Sequence, residues 1–152
     1  MNELVSTFMR EKVETLQAAL LQLPQYEPET RHYFHGGMYC REVYRAADVV
    51  VVGKVHRKEH FYVIVAGTVV ITDGINPPRE VTGPEVLLSK PGTKRAVMSI
   101  TPAVCMTFHT TQAATVEEAE AELVEEDEHS AFDAGNKVKP GVLRHEFKEL
   151  SP

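Results

Sequence analysis

Apolar positions along the chain change period twice, and the changes divide it into three parts. From residue 3 to residue 23, Val5, Met9, Val13, Leu16, Leu20 and Leu23 recur at three- and four-residue steps. Glu3, Arg10, Glu11, Lys12 and Glu14 fall between them. Residues three and four apart share a helix face, so the spacing predicts an amphipathic helix. Asn2 can cap its start and Pro24 stops it. The apolar stripe must be covered, either by the chain's own core or by a second subunit.

Pro24 to Thr30, with two prolines, reads as an extended connector, and the pair Gly36-Gly37 marks a turn. From Met38 the period becomes two. Strands are predicted over Met38–Arg45, Asp48–His56, His60–Ala66 and Thr68–Thr72, then over Glu80–Thr82, Glu85–Ser89, Arg95–Ile100 and Ala103–Thr110. Gly67 turns one strand into the next, and Asp73-Gly74 is a hairpin signal. About eight short strands punctuated by Gly and Pro predict a β-sandwich or barrel, a mainly β antiparallel fold.

At Thr115 the period becomes helical again. Thr115-Val-Glu-Glu118 is a capping-box pattern, and Val116, Ala119, Leu123 and Val124 form a thin stripe. A surface helix is expected from Val116 to about Asp127. The tail from residue 129 to 152 is polar, with one cluster of Val142, Leu143, Phe147 and Leu150. Alone it is expected to be mobile, so order in it requires something to hold it.

Composition alters this picture in two places. The net charge of −6 comes from residues 116–128, which hold eight acids and no Lys or Arg. The remaining fourteen acids face 16 Lys and Arg, and no basic stripe is visible, so neither a nucleic-acid nor a membrane partner is expected. No apolar run is long enough to span a bilayer, and a cytoplasmic protein is the expectation. Cys40 and Cys105 can pair, but buried free thiols are the simpler reading.

Candidate chemistry concentrates in Gly53–Gly67. His56 and His60 share strand parity around a short turn of Arg57, Lys58 and Glu59. Neutral imidazoles on one side of a hairpin are natural ligands for Zn, Fe, Ni, Mn or Cu. The alternative is a hydrogen-bonded histidine pair at a barrel mouth. Glu59 is either a general base beside a metal or a solvated turn residue. Tyr62 shares parity with His60 and either lines the same cavity or is an ordinary strand aromatic. Arg95 either binds a carboxylate or phosphate bidentately or forms a rim salt bridge with Glu59 or Glu80.

The Gly53–Gly67 stretch resembles the first cupin motif, in which a glycine precedes two histidines and a glutamate, and a second glycine follows. His56 matches the second histidine and His60 stands at the glutamate position, while Lys54 falls where the first histidine would be. Pro91-Gly92-Thr93-Lys94-Arg95 resembles the second motif, with Arg95 at its histidine position. His109, late in the last strand, is a candidate third ligand. The resemblance implies an RmlC-like jelly-roll barrel over residues 31–112. An N-terminal helix and connector (1–30) and an acidic helix (113–128) with a polar tail (129–152) flank it. The arrangement is also similar to small single-domain cupins of tailed-phage genomes, which places the chain in host cytoplasm or virion.

Three functions remain open at this stage. The chain is expected to bind a small anionic molecule at Arg95 and Tyr62 beside a possible metal on His56, His60 and His109. Alternatively, it is a non-catalytic component of a phage particle or other assembly, in contact with virion proteins, or it sequesters a nucleotide or metabolite. Whether it is an enzyme stays undecided. A homo-oligomer, dimer or higher, is expected in each case, because sheet edges and the helix stripe need cover.

Overall fold

The computed structural model describes residues 2–72 and 76–144, with the side chains of residues 2–10 left aside. The Asp73-Gly74 hairpin signal, the Val5 and Met9 side chains, and Phe147 and Leu150 lie outside the described residues. The fold is mainly β. Among the described residues nine strands form two antiparallel sheets: β1 (Glu29–His35), β2 (Met38–Arg45), β3 (Val49–Val52), β4 (His60–Ala66), β5 (Thr68–Thr72), β6 (Arg79–Thr82), β7 (Glu85–Ser89), β8 (Ala96–Ser99) and β9 (Ala103–Thr110). The larger sheet runs β1-β2-β9-β4-β7 and the smaller β3-β8-β5-β6. They close over Ile64, Val69, Ile71, Val81, Val97 and Cys105, all buried. Helices α1 (Asn2–Leu20) and α2 (Val116–Leu123) flank the barrel.

Two expectations about strands are corrected. Residues 29–35 are a full strand, not a connector and turn. Their inward positions are Thr30, His32 and Phe34, so the period-two pattern carries little apolar signal. The strand expected over Asp48–His56 ends at Val52. Beyond it the backbone leaves the sheet to bond the exit of α2: Arg57 N donates to Leu123 O and Glu125 N to Val55 O. A similar trimming leaves β8 at Ala96–Ser99.

Turn chemistry follows the glycines. Gly36 and Gly37 have φ of 59° and 75°. Positive φ at both central residues of a two-residue loop is the type I′ hairpin condition, which only glycine meets without strain. It sets His35 opposite Met38. Gly67 has φ of 86°, and a Cβ there would lie 2.2 Å from the Pro102 carbonyl oxygen.

Helix α1 covers its own barrel in part. Val13 packs with Val52 and Ala96, with Leu20 beside them. Burying one such valine contributes about 1.5–3 kcal/mol. Leu16 and Leu23 stay exposed. The helix ends at Leu20, short of Leu23, because the Gln25 amide donates to the carbonyls of Leu20 (2.6 Å) and Leu23 (2.8 Å). Thr115 caps α2 by accepting from Glu118 N. That helix also stops early, at Leu123, with Ala119, Leu123 and Val124 packed on Tyr39. The tail to Arg144 is held by the barrel: Ser130, Ala131 and Phe132 are buried. Val138 N donates to Glu27, Asn136 to Thr30, and Gln25 N to Leu143 O. Both cysteines are free thiols. No helix among the described residues is long and apolar enough to cross a membrane.

Candidate functional site at the barrel mouth

Two histidines four residues apart and a third from a distant strand meet at one end of the barrel. His60 opens β4 and His109 lies near the end of β9, adjacent strands whose register pairs Phe61 with Phe108. His56 precedes the turn and is held by its bridge to Val124. Ring centroids lie 4.3 Å (His56–His60), 4.5 Å (His60–His109) and 5.2 Å (His56–His109) apart. One nitrogen of each falls within 4.8 Å of the others. Parity explains the convergence: His60 and Tyr62 point inward on β4, as do Cys105, Thr107 and His109 on β9.

The imidazoles are neutral. Burial pushes His60 down to about 4 and His109 to about 3, and it holds His56 well below its usual value. Cationic neighbours, Arg41 among them, push the same way. His60 Nδ1 lies 3.2 Å from the Lys58 carbonyl oxygen, so Nδ1–H donates there and the Nε2 lone pair points away. Nε2 is buried and has no hydrogen-bond partner. A ligating histidine is set in this way, its other nitrogen donating to a backbone carbonyl.

The set fits a divalent transition metal. Metal–imidazole bonds of about 2.0–2.1 Å place tetrahedral donors about 3.4 Å apart, so small ring movements suffice. Three protein ligands leave a coordination position open.

Below the histidines lies a cavity of about 110 Å³. Its apolar wall includes Val43, Val97 and Phe132, and its cations are Arg41, Arg45, Lys54 and Arg95. Arg95 donates to Ser89 Oγ, and its guanidinium carbon sits 4.7 Å from the centre of the Tyr62 ring. Tyr62 is buried, and desolvation holds its hydroxyl protonated far above neutrality. Glu59 is exposed on the turn and does not line the cavity. Two carboxylates line it instead, Asp133 and Glu120 of α2, and Glu120 is bonded to Lys54 (2.6 Å) and Arg41 (3.2 Å). Lys54, at the motif's first histidine position, therefore serves an ion pair.

Sequence reasoning placed His56, His60, His109, Tyr62 and Arg95 together, and the structure brings all of them to this end of the barrel. It gave no place in the cavity to Arg41, Arg45, Thr107 or Glu120. The signal for the two arginines was present: they share parity with inward Tyr39 and Val43 on β2.

No protein-family model matches the chain, and no curated protein does. Solved structures do match in fold. The DMSP lyase DddQ from Ruegeria pomeroyi superposes with a TM-score of 0.51 at 16% identity, over 59% of this chain and 49% of that one. The chain thus spans about half the length of that enzyme. KdgF from Halomonas sp. gives 0.50 at 10% identity, over 57% of this chain and 82% of that one. A cupin superfamily protein from Desulfitobacterium hafniense gives 0.49 at 13% identity, over 62% and 87%. At such identities the likeness is one of fold alone, and the strand order agrees with it: two antiparallel sheets closed as a jelly roll, with one helix before the strands and one after them.

Proposed function

We propose that the chain is a cupin-type binding protein for a small anionic molecule, with a divalent transition metal (Zn, Fe, Ni, Mn or Cu) held by His56, His60 and His109. The observation that carries this reading is the convergence of three neutral ring nitrogens, within 4.8 Å of one another, over a cavity lined with guanidinium groups. The metal would supply a Lewis-acidic centre with an open position. Arg95 would attract the anion, and Tyr62 would donate to it. Metal and anion support each other, because a cation beside Arg95 is repelled unless a negative charge lies between them. The cavity volume favours a small metabolite over a nucleotide.

The test is a titration of chelator-treated protein with Zn²⁺ and Co²⁺, with and without small organic acids, in wild type and His56→Ala. One metal equivalent in the wild type, bound more tightly with acid present and lost in the variant, is expected. No binding of metal or acid by the wild type would remove the reading.

A second reading concerns assembly. Phe61, Val86 and Leu88 are exposed on the outer face of the larger sheet, with Phe61 opposite Leu88. Exposed apolar strips of this kind mark interaction surfaces. They support self-association of the barrel, and the same face could serve a role in a larger particle.

A further inference from the structure

One cation lining the cavity, Arg45, was singled out by no motif. It ends β2, opposite Ala103 of β9, on the inward side that also carries Arg41. Its guanidinium lies against Tyr62 and Cys105. Nε and Nη1 are out of contact with solvent and make no well-formed hydrogen bond, and the neighbours they do interact with, the Tyr62 hydroxyl and the Cys105 thiol, are neutral. The Tyr62 hydroxyl and Thr107 Oγ1, which line the same space, are buried without a well-formed hydrogen bond as well. Buried polar groups are normally satisfied, and a buried cation without an acceptor is costly. Two hydroxyls lining the same cavity as a guanidinium fork are the complement of an oxyanion.

Among the described residues no carboxylate is paired with Arg45. Of the two carboxylates lining the cavity, Glu120 is taken by Lys54 and Arg41. Asp133 Oδ1 accepts from the backbone N–H groups of Gly135 and Lys137. The positive charge at Arg45 is therefore left for a ligand.

Register fixes how far this end is from the histidines. Thr107 is two residues from His109 along β9, and Tyr62 is two from His60 along β4, a rise of about 7 Å in each strand. The wall between is apolar, with Val43 and Val97. A cavity near 110 Å³ is small, so the occupant has fewer than about ten heavy atoms.

We infer that Arg45, Tyr62 and Thr107 form a carboxylate subsite at the inner end of the cavity, and that the ligand is a short dicarboxylic acid spanning from this subsite to the histidine cluster. The inference rests on the proposed small-anion, metal-binding reading and names its ligand class. Methylene carbons pack on the valines, one carboxylate meets Arg45, and the other reaches the metal position. A phosphate fills the inner subsite but leaves the apolar wall uncovered.

Calorimetry of the Zn²⁺-loaded protein with malonate, succinate and glutarate, against propionate, butyrate and inorganic phosphate, tests this. Succinate or glutarate is expected to bind at least tenfold more tightly than the monoacids or phosphate. Arg45→Met and Thr107→Val should each retain one equivalent of zinc, which shows the barrel intact, while diacid affinity falls at least tenfold and at least threefold respectively. Equal affinity for mono- and diacids, tighter binding of phosphate, or unchanged diacid affinity in a zinc-loaded Arg45→Met protein would overturn the subsite and leave the metal reading standing. If Arg45→Met does not fold, Thr107→Val and Arg45→Lys decide by the same comparison. A wild type that takes up neither zinc nor any acid removes both readings.

Discussion

Lys54 Nζ lies 2.6 Å from Glu120 Oε1, joining the segment after β3 to helix α2 across the mouth of the barrel. Arg41 holds the other oxygen of the same carboxylate at 3.2 Å. Side-chain exposures of 17% for Lys54 and 15% for Glu120 make this a largely desolvated pair. Removing the carboxylate strands two cations, so Glu120→Gln should lower stability by about 1–3 kcal/mol, less than a fully buried pair would cost. Urea unfolding measures it. A change within a few tenths of a kcal/mol would mean that α2 is held by Leu123 and Ala119 alone.

His60 should make the metal-free protein acid-sensitive. Its folded value of about 4 lies below the ordinary 6.5, so between these pH values the unfolded chain binds more protons than the folded one. Stability therefore rises with pH across that window. The cost is absent above about 6.5 and complete below about 4. His60→Gln removes one such group, and between pH 6.5 and 5 the variant should lose about 2 kcal/mol less than the wild type. Denaturant titrations at both pH values, in chelator, give the difference. Equal losses would place the ring in a more hydrated setting.

Lys94 is 5% exposed, and its ammonium donates to Asp127 Oδ2 (3.0 Å) and Gln17 Oε1 (2.7 Å). The network ties α1 and the end of the acidic segment to the turn before β8. Lys94→Met leaves Asp127 without its cation and should cost about 3–5 kcal/mol. Thermal unfolding of variant and wild type checks it. The double variant Lys94→Met with Asp127→Asn should recover part of the loss, since the charge left behind is then gone.

The outer face of the larger sheet should mediate self-association. Leu88 is 74% exposed and Phe61 50%. Sedimentation at micromolar concentration is expected to show a dimer or higher species. Phe61→Glu with Leu88→Glu should give a monomer whose melting temperature stays close to that of the wild type. A wild-type monomer would rule out this face as the contact.

Much of the barrel was legible because its core strands alternate with strong apolar residues. Val69, Ile71, Ile64 and Val97 announce the inward face without help from the rest of the chain. β1 was not legible because its inward residues are Thr30, His32 and Phe34, and its pairing with β2 only becomes evident once the hairpin at Gly36-Gly37 is closed. The histidines at 56 and 60 were readable from local spacing, and His109 from parity on its own strand. Glu120 was not readable, because its helix looked like a solvated acidic face. Only the fold shows that one of those acids turns inward to meet Lys54 and Arg41. The partnership of Arg45 with Thr107 and Tyr62 depends on the register between β2, β9 and β4, which nothing in a single strand encodes.

Ser130, Phe132 and Asn136, far along the chain, supply part of the cavity wall that the barrel strands begin. The cavity wall is thus written in two separate stretches, a framework that fixes charge and donor atoms and a later segment that completes it. Substitutions in residues 130–136 should reshape the cavity while its charged groups stay where the strands hold them.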